Sequence, residues 1–173
     1  MIMKKTGRIK ILFIVTMLAT LLCSCGYQLV REKGIFGGDI TSLYISIFKN
    51  ATYEPNISQP VTDAFSKELL STGLFTVNRE SSDGYLQGTV TKITVLPTSL
   101  SITGLAIEKV VSLEVSVTLY RKNGNFIKSW GLSDSETYRV DNIDYEEYNR
   151  KDAIKRLSAR MARRFSSFLL VDY

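Results

Sequence analysis

The sequence has 173 residues, 45% of them hydrophobic, with a formal net charge of +5, two cysteines and no histidine. This length is enough for one domain with a real hydrophobic core. The lack of histidine argues against a zinc site and excludes the Ser-His and Cys-His pairs that activate catalytic nucleophiles.

The first 24 residues have the organisation of a bacterial lipoprotein signal. Residues 11–22 are apolar and follow a basic segment that contains Lys4, Lys5, Arg8 and Lys10. The apolar run has secretory length and is short for a permanent transmembrane helix. The next residues, Leu22-Cys23-Ser24-Cys25, resemble a lipobox. We predict cleavage before Cys25 and lipidation of its thiol; the alternatives are an uncleaved anchor helix and a plain secretion signal.

Removal of this signal would change the character of the chain. Residues 1–24 contain four cations and no anion, so the formal charge would fall from +5 to +1, and export would separate the protein from nucleic acid. With Cys23 removed and Cys25 lipidated, no thiol remains for a disulfide. The acyl chains on Cys25 would be a firm anchor, and we expect no other cofactor and no metal. Gly26, in place of an inner-membrane retention aspartate, predicts the outer membrane with the domain facing the periplasm.

We expect residues 25–40 to form a lipidated tether and residues 41–173 to form a single domain. Residues 42–48 alternate like a half-buried strand, with Leu43, Ile45 and Ile47 on one face and Tyr44, Ser46 and Phe48 on the other. A helix should follow with Ser58 as its N-cap and Gly73 at its end. Its apolar stripe consists of Ile57, Val61, Ala64, Phe65 and Leu69. Residues 74–77 suit a short extended piece.

Three strands and a long helix complete the predicted domain. Residues 85–96 change hydrophobic phase, which indicates a bulge, and Pro97 should stop the pairing or mark an edge. Residues 111–119 alternate clearly, and Asn123-Gly124 should form a tight turn into a strand from Phe126 toward Tyr138. From Tyr145 the pattern is helical, with a core stripe of Ile154, Leu157, Met161, Phe165 and Phe168. We therefore predict an α+β two-layer sandwich, with two helices on one face of a four-stranded, mostly antiparallel sheet in the order β-α-β-β-β-α.

These features together resemble the LptE family of lipopolysaccharide-assembly lipoproteins. The resemblance covers most of the mature chain, and its motifs are Cys25-Gly26-Tyr27-Gln28-Leu29, residues 42–48, Asn50-x-Thr52-x-Glu54-Pro55, Leu86-x-Gly88 and the alanine- and arginine-containing last helix. The resemblance implies a non-enzymatic plug inside the outer-membrane barrel LptD, which it stabilises. It also implies direct contact with lipopolysaccharide and help in its delivery to the outer leaflet.

Two regions are candidate binding surfaces. The last helix carries Arg156, Arg160, Arg163 and Arg164 at three- and four-residue spacing. This face suits lipopolysaccharide phosphates or a carboxylate-lined barrel lumen, and the alternative is a solvated helix face. Residues 97–107 are unusually apolar for a loop and contain Leu100, Ile102 and Leu105. Their tip suits a barrel or acyl chains, and the alternative is that both strands continue to a turn at Thr103-Gly104.

In some members of the family, a basic residue in this hairpin and another just before the last helix are implicated in contact with lipopolysaccharide. The nearest cations here are Lys109 and Arg139, and acidic residues follow Arg139, so this sequence departs from the family pattern. Two other functions stay open. One is an adaptor subunit of another envelope complex, and the other is a tethered hydrolase that uses the carboxylates of Glu146 and Glu147.

Overall fold

The structure is a computed structural model, and it describes residues 35, 39–73, 75–77, 81–140 and 143–171. The predicted signal peptide, the predicted lipidation site Cys25 and most of the predicted tether lie outside these residues. Among the residues described, no helix has the length and apolar character needed to cross a membrane.

The described residues form six strands and two helices. In chain order these are β1 (Ser42–Ile45), β2 (Lys49–Asn50), α1 (Ser58–Ser71), β3 (Thr76–Val77), β4 (Gly84–Leu100), β5 (Ala106–Arg121), β6 (Phe126–Arg139) and α2 (Ile143–Val171). The sheet order is β3-β1-β4-β5-β6, and β2 pairs with β4 beyond the end of β1. The strand β1 pairs in parallel with β3 and with β4, and β2 pairs in parallel with β4. The strands β4, β5 and β6 form an antiparallel meander.

Both helices pack on one face of this sheet, which confirms the predicted α+β sandwich. A continuous row of rings joins the layers, because Phe65 of α1 contacts Phe48 and Phe165, and Phe165 meets Trp130 of β6 edge-on at 5.3 Å. The alternating residues of β5 are buried as predicted, from Val111 to Leu119. The sheet has more strands than the four predicted. The predicted first strand is split into β1 and β2, and the short strand β3 pairs with β1 at the edge of the sheet.

The prediction of one continuous strand over residues 42–48 is wrong after Ile45. Leu43 and Phe48 are each 1% exposed, whereas Ile47 is 66% exposed, so the buried side of this segment changes from the predicted face of Leu43 and Ile47 to the other predicted face. The Phe48 N–H donates to Thr62 Oγ1 at 2.9 Å, so this part of the chain leaves the ladder and binds helix α1 before pairing resumes at β2. Alternation alone cannot show such a break, because both phases of this segment contain large apolar residues.

The helix ends differ from the predictions at two points. Ile57, not Ser58, is the N-cap of α1, and no side chain there bonds the first turn. Gly73 ends this helix as predicted, with a φ of +66° that glycine adopts without strain. In α2 the predicted core residue Phe168 is 38% exposed, and Leu169, at 2%, takes its place. The buried stripe therefore steps by four residues after Phe165 rather than by three.

The hairpin of β4 and β5 follows the alternative in which both strands continue to a turn at Thr103-Gly104, because β4 reaches Leu100 and β5 begins at Ala106. The expected bulge lies between Val90 and Lys92. Pro97 does not stop the pairing, because it lies opposite Lys109 and the ladder continues to Leu100. Among the described strands, none pairs with the other side of β4 at Pro97, so this proline marks an edge, as the second of the two predictions had it, and its missing N–H removes no ladder bond.

The turn between β5 and β6 also differs in detail from the predicted one. Gly124 has a φ of +86°, but Asn123 is not among the positive-φ residues, so only one of the two expected positions is left-handed. The Gly124 N–H bonds the Arg121 carbonyl at 2.9 Å, and Asn123 Oδ1 accepts from the Asn125 N–H. This is a type I turn followed by a left-handed glycine, a common three-residue hairpin connection.

Candidate functional site

The far end of the β4–β5 hairpin carries an exposed apolar surface. Residues 93–107 contain no charged side chain. Four aliphatic side chains in this segment are at least 60% exposed, and we call them the apolar tip: Leu96, Leu100, Ile102 and Leu105. The three site residues predicted in this hairpin are thus brought together, and Leu96 is a fourth that the sequence analysis did not single out.

The turn that carries the apolar tip is held by its own hydrogen bonds. The Ser101 N–H donates to the Leu105 carbonyl at 2.7 Å, and the Gly104 N–H donates to the Ser101 carbonyl at 2.9 Å. Ser101 Oγ also accepts the Leu105 N–H at 3.0 Å. Because main-chain groups and Ser101 Oγ form the hydrogen bonds of this turn, the aliphatic side chains are not needed to shape it and remain available to a partner.

The charged residues at the base of this hairpin are engaged within the protein. Lys109 forms an ion pair with Glu146 near the start of α2, and Arg139 lies 3.9 Å from Glu108. These are the two cations that the family resemblance pointed to. Both cations lie on neighbouring strands at the base of the hairpin, so this end of the molecule is apolar beyond a base of paired charges.

The predicted arginine stripe of α2 lies along the outer strand β6. Arg160 contacts Asp134 at 2.8 Å, Glu136 at 2.5 Å and the Ser135 carbonyl at 2.6 Å. Arg156 bonds Glu136 at 2.9 Å and also pairs with Asp152. We call this group of side chains the arginine clamp, and it comprises Arg156, Arg160, Arg164, Asp134 and Glu136.

Charge balance keeps the arginine clamp ionised. Burial alone would raise the pKa of Asp134, but the hydrogen bond from Arg160 and the nearby positive charges outweigh it and hold this pKa below the ordinary value. The pKa of Glu136 is lowered chiefly by its hydrogen bond from Arg160. The same two carboxylates raise the pKa of Arg160. Three of the four predicted arginines are therefore occupied, whereas Arg163 is exposed and forms no ion pair with another described residue.

A further arginine, near the start of α2, joins this helix to the turn that precedes α1. Arg150 bonds Glu54 and Glu147, each at 2.8 Å. Burial tends to lower the pKa of Arg150, but these two hydrogen bonds outweigh it and raise the pKa. Beside this junction, α1 and α2 enclose a groove of about 650 Å³ whose apolar lining includes Pro55 and Ile154.

The turn that presents Glu54 is built by two residues of the same segment. Asn50 Nδ2 donates to the Glu54 carbonyl at 2.7 Å, and Asn50 Oδ1 accepts the Thr52 N–H at 2.9 Å. Thr52 Oγ1 in turn accepts the Glu54 N–H at 3.2 Å. Each polar residue of the Asn50-x-Thr52-x-Glu54 sequence thus has a structural role, which ends in the ion pair with Arg150.

Comparison with protein families decides the relationship. The family model described as LptE, lipopolysaccharide-assembly, matches residues 40–169. The chain belongs to the LptE family. No curated protein sequence gives a significant match.

Solved structures share the LptE-family fold at low identity. A Xanthomonas campestris protein is 11% identical with a TM-score of 0.54, covering 76% of this chain and 85% of its own. The rare lipoprotein B of Shewanella oneidensis is 13% identical with a TM-score of 0.51, covering 74% and 94%. A hypothetical protein of Chlamydia trachomatis is 8% identical with a TM-score of 0.51, covering 73% and 94%. At these identities the likeness shows the fold alone.

The sequence analysis missed two functional features of this LptE-family chain. The ion pair of Arg150 with Glu54 was not predicted, because these two residues lie far apart in the sequence. The arginines of α2 were predicted either to face a ligand or a barrel lumen or to lie on a solvated helix face, and their ion pairs with Asp134 and Glu136 were not predicted. That pairing requires knowing that β6 lies beside α2, which residue spacing along one helix cannot reveal.

Proposed function

We propose that this protein is an outer-membrane lipoprotein that plugs and stabilises the LptD β-barrel and assists lipopolysaccharide delivery to the outer leaflet. The observation that carries the proposal is the match to the lipopolysaccharide-assembly family over residues 40–169. In this proposal the partners are the barrel, lipopolysaccharide and the membrane that holds the lipidated Cys25. The protein has no catalytic turnover of its own.

The apolar tip supports this function. It combines four exposed aliphatic side chains with a main chain that needs no partner to keep its shape. Burial of an aliphatic side chain contributes about 1.5–3 kcal/mol when it is complete, so a wall of protein or acyl chains around the tip would give strong attachment. We propose that the apolar tip lies against the interior of the barrel.

The proposed anchor is compatible with a domain that enters a barrel. Because Ile35 and Ile40 are buried in the domain core, lipidation of Cys25 would leave residues 25–34 between the membrane surface and the domain, a shorter tether than predicted. A fully extended chain rises at most about 3.3–3.6 Å per residue, so this tether would reach about 35 Å. This reach exceeds the thickness of the hydrocarbon core of a bilayer, which is about 30 Å.

The carboxylates that a hydrolase would need are engaged in ion pairs. Glu146 pairs with Lys109, and Glu147 pairs with Arg150 and Lys151. The pKa of Glu147 is lowered by its hydrogen bonds from Arg150 and Lys151. A general acid needs the opposite shift, so this arrangement favours a binding role over catalysis.

A detergent pull-down from native outer membranes, with a C-terminal tag, tests the proposal. We expect one large barrel to co-purify in about equal amounts with the wild-type protein. The variant Ile102→Glu should lose most of this barrel, because it places a charge in the apolar tip. The matched control is Ile47→Glu, at another exposed isoleucine outside the hairpin. Recovery of a different envelope complex would instead favour the adaptor function.

A further inference from the structure

A second set of exposed apolar side chains lies far from the apolar tip. Four of them are between 38% and 63% exposed, and we call them the membrane-side patch: Leu70, Phe126, Phe168 and Leu170. They belong to three elements, since the first is near the end of α1, the second begins β6 and the other two lie in the last turn of α2. The fold therefore brings together residues that are separate in the sequence.

Contacts between these elements place the membrane-side patch at one end of the domain. The helices α1 and α2 run in the same direction, because Glu54 contacts Arg150 near their starts and Phe65 contacts Phe165 towards their ends. The strand β6 runs opposite to α2, so its first residues lie beside the last turn of that helix, beyond the contact of Phe165 with Trp130. The patch thus lies beyond the row of rings, at the end away from the apolar tip.

Two tyrosines extend this surface onto the open face of the sheet. Tyr85 and Tyr120 stack at 5.1 Å, and Tyr120 meets Phe126 edge-on at 6.2 Å. Tyrosine combines an apolar ring with a polar hydroxyl group and is enriched where a membrane meets water. This end of the domain therefore has the side chains of a membrane–water interface.

The charged residues around the turn between β5 and β6 are of both signs. Arg121 pairs with Asp39 at 3.1 Å, and Asp83 accepts hydrogen bonds from two neighbouring residues. Lys122 is exposed, and Lys128 lies over an aromatic ring. Attraction of this end to a surface would therefore come from its apolar and aromatic side chains, while an exposed lysine can extend its charge to a phosphate.

The chain that would carry the lipid joins the domain beside the membrane-side patch. Ile35 forms a β-bridge with Ile40, both are buried, and the intervening Asp39 pairs with Arg121 at the end of β5. Residues 25–34 reach about 35 Å at full extension. The membrane that holds a lipidated Cys25 therefore lies within about 35 Å of this end of the domain.

The apolar tip is too far from this junction to stand upright in the same leaflet. The strand β4 has 17 residues, and it begins at Gly84, next to Ile40. A strand rises about 3.3 Å per residue, so β4 is about 50 Å long. A domain that stood on its tip would hold Ile35 about 50 Å from the leaflet, beyond the reach of the tether. An upright domain can therefore meet this leaflet only with the membrane-side patch.

We propose that, in the lipoprotein that has not yet entered a barrel, the membrane-side patch rests on the lipid headgroups of the leaflet that holds Cys25. Burial of its apolar side chains would drive this contact, and the tether would keep the two surfaces at high effective concentration. This orientation keeps the apolar tip out of the leaflet and available to its partner. The inference rests on the proposed lipidation of Cys25 and does not depend on LptD.

The test uses the mature lipidated protein, without LptD, in vesicles of phosphatidylethanolamine and phosphatidylglycerol that include a lipid with a nitroxide headgroup. Asn125→Cys and Thr103→Cys carry a fluorescent label beside the membrane-side patch and at the apolar tip. The introduced cysteine is the only free thiol, because Cys25 carries the lipid. Interfacial groups enter about 5–10 Å into the headgroup region, so the label at position 125 should be quenched about twofold or more. The label at position 103 should keep its fluorescence.

Charges in the membrane-side patch should abolish this contact. Phe126→Glu with Leu170→Glu should restore the fluorescence of the label at position 125, because burial of a carboxylate opposes the contact. The matched control is Ile47→Glu with Tyr53→Glu, at two exposed residues outside the patch, and it should leave the quenching unchanged. Circular dichroism melts establish that each variant is folded before its fluorescence is compared.

The outcomes separate this inference from the proposed function. Mass spectrometry first shows whether Cys25 is lipidated, and a protein without the lipid would overturn both the proposed anchor and this inference. In the lipidated protein, an unquenched label at position 125, or equal quenching at positions 103 and 125, would overturn this inference alone. A dimer in sedimentation experiments that the Phe126→Glu, Leu170→Glu variant dissociates, with no quenching at position 125, would assign the patch to a second copy instead.

Discussion

The ring of Phe48 occupies the space that a side chain at position 88 would need. A Cβ built on Gly88 would lie 2.3 Å from the ring, far inside van der Waals contact. The glycine of the Leu86-x-Gly88 sequence therefore allows Phe48 to reach the core, where it packs 5.0 Å from Phe65. This contact lies just past Ile45, where the first strand ends.

Replacement of this glycine should destabilise the fold. We expect Gly88→Ala to lower the free energy of unfolding by about 1–3 kcal/mol, since the methyl group forces the buried ring and its neighbours apart. Gly131→Ala, at an open position of β6, should have little effect. Urea denaturation of both variants measures the difference, and equal stability would contradict the close packing of Phe48 on Gly88.

The arginine clamp should contribute more to stability than the exposed cation next to it. Arg160→Ala leaves Asp134 and Glu136, each mostly buried, without their main partner. We expect a loss of about 1–2 kcal/mol, between the values typical of exposed and buried ion pairs. Arg163→Ala should change stability by less than about 0.5 kcal/mol, as surface substitutions usually do. Thermal melts at two salt concentrations would compare them, and a larger effect at Arg163 would refute this role of the clamp.

Acid should weaken the contact between α2 and β6. The pKa values of Asp134 and Glu136 are lowered by Arg160, so their ionised forms stabilise the folded state. Their contribution is complete above the unfolded pKa values, about 4, and is lost as the pH falls through the lower folded values. We expect the free energy of unfolding to decline in this range.

A double variant isolates that contribution. In Asp134→Asn with Glu136→Gln the decline with acid should be shallower. It should not vanish, because the pKa of Asp83 is also lowered, chiefly by its hydrogen bond from Ser42. Chemical denaturation at a series of pH values gives both curves. Parallel curves for the wild type and the double variant would show that these two carboxylates do not cause the loss of stability in acid.

The ion pair of Glu54 and Arg150 should couple the family-like turn to α2. Both side chains are about one-fifth exposed and lie 2.8 Å apart. A double-mutant cycle with Glu54→Gln and Arg150→Met should give a coupling free energy of about 1–2 kcal/mol. The pair Glu147→Gln and Lys151→Met, on the exposed face of α2, should give a few tenths of a kcal/mol. Similar coupling in both cycles would mean that Glu54 has no special role.

The sequence predicted the sandwich because the hydrophobic residues of most strands and helices recur at the spacing of their element. The alternation of residues 111–119 and the stripe from Ile154 to Phe165 each allow one burial pattern, and both are buried as expected. The break at Phe48 was not predictable, because it depends on Thr62, which is distant in sequence and near in the fold. The place of Phe168 was missed for a similar reason, since a three-residue step and a four-residue step are equally helical.

The candidate site was predicted in part. A run without charge between Lys92 and Glu108 is visible in the sequence, and it becomes the apolar tip. The arginines of α2 were visible as well, but their partners Asp134 and Glu136 lie on a separate strand. Whether an arginine faces a ligand or a carboxylate of the same chain is decided by tertiary packing.

Site-specific photocrosslinking from position 102 in intact cells tests the proposed function most directly. A photoreactive residue in place of Ile102, at the exposed end of the apolar tip, should form one major adduct with the LptD barrel. The same residue in place of Ile47 should form this adduct weakly or not at all. A major adduct with another envelope protein from position 102, in cells that still assemble the barrel, would contradict the plug function.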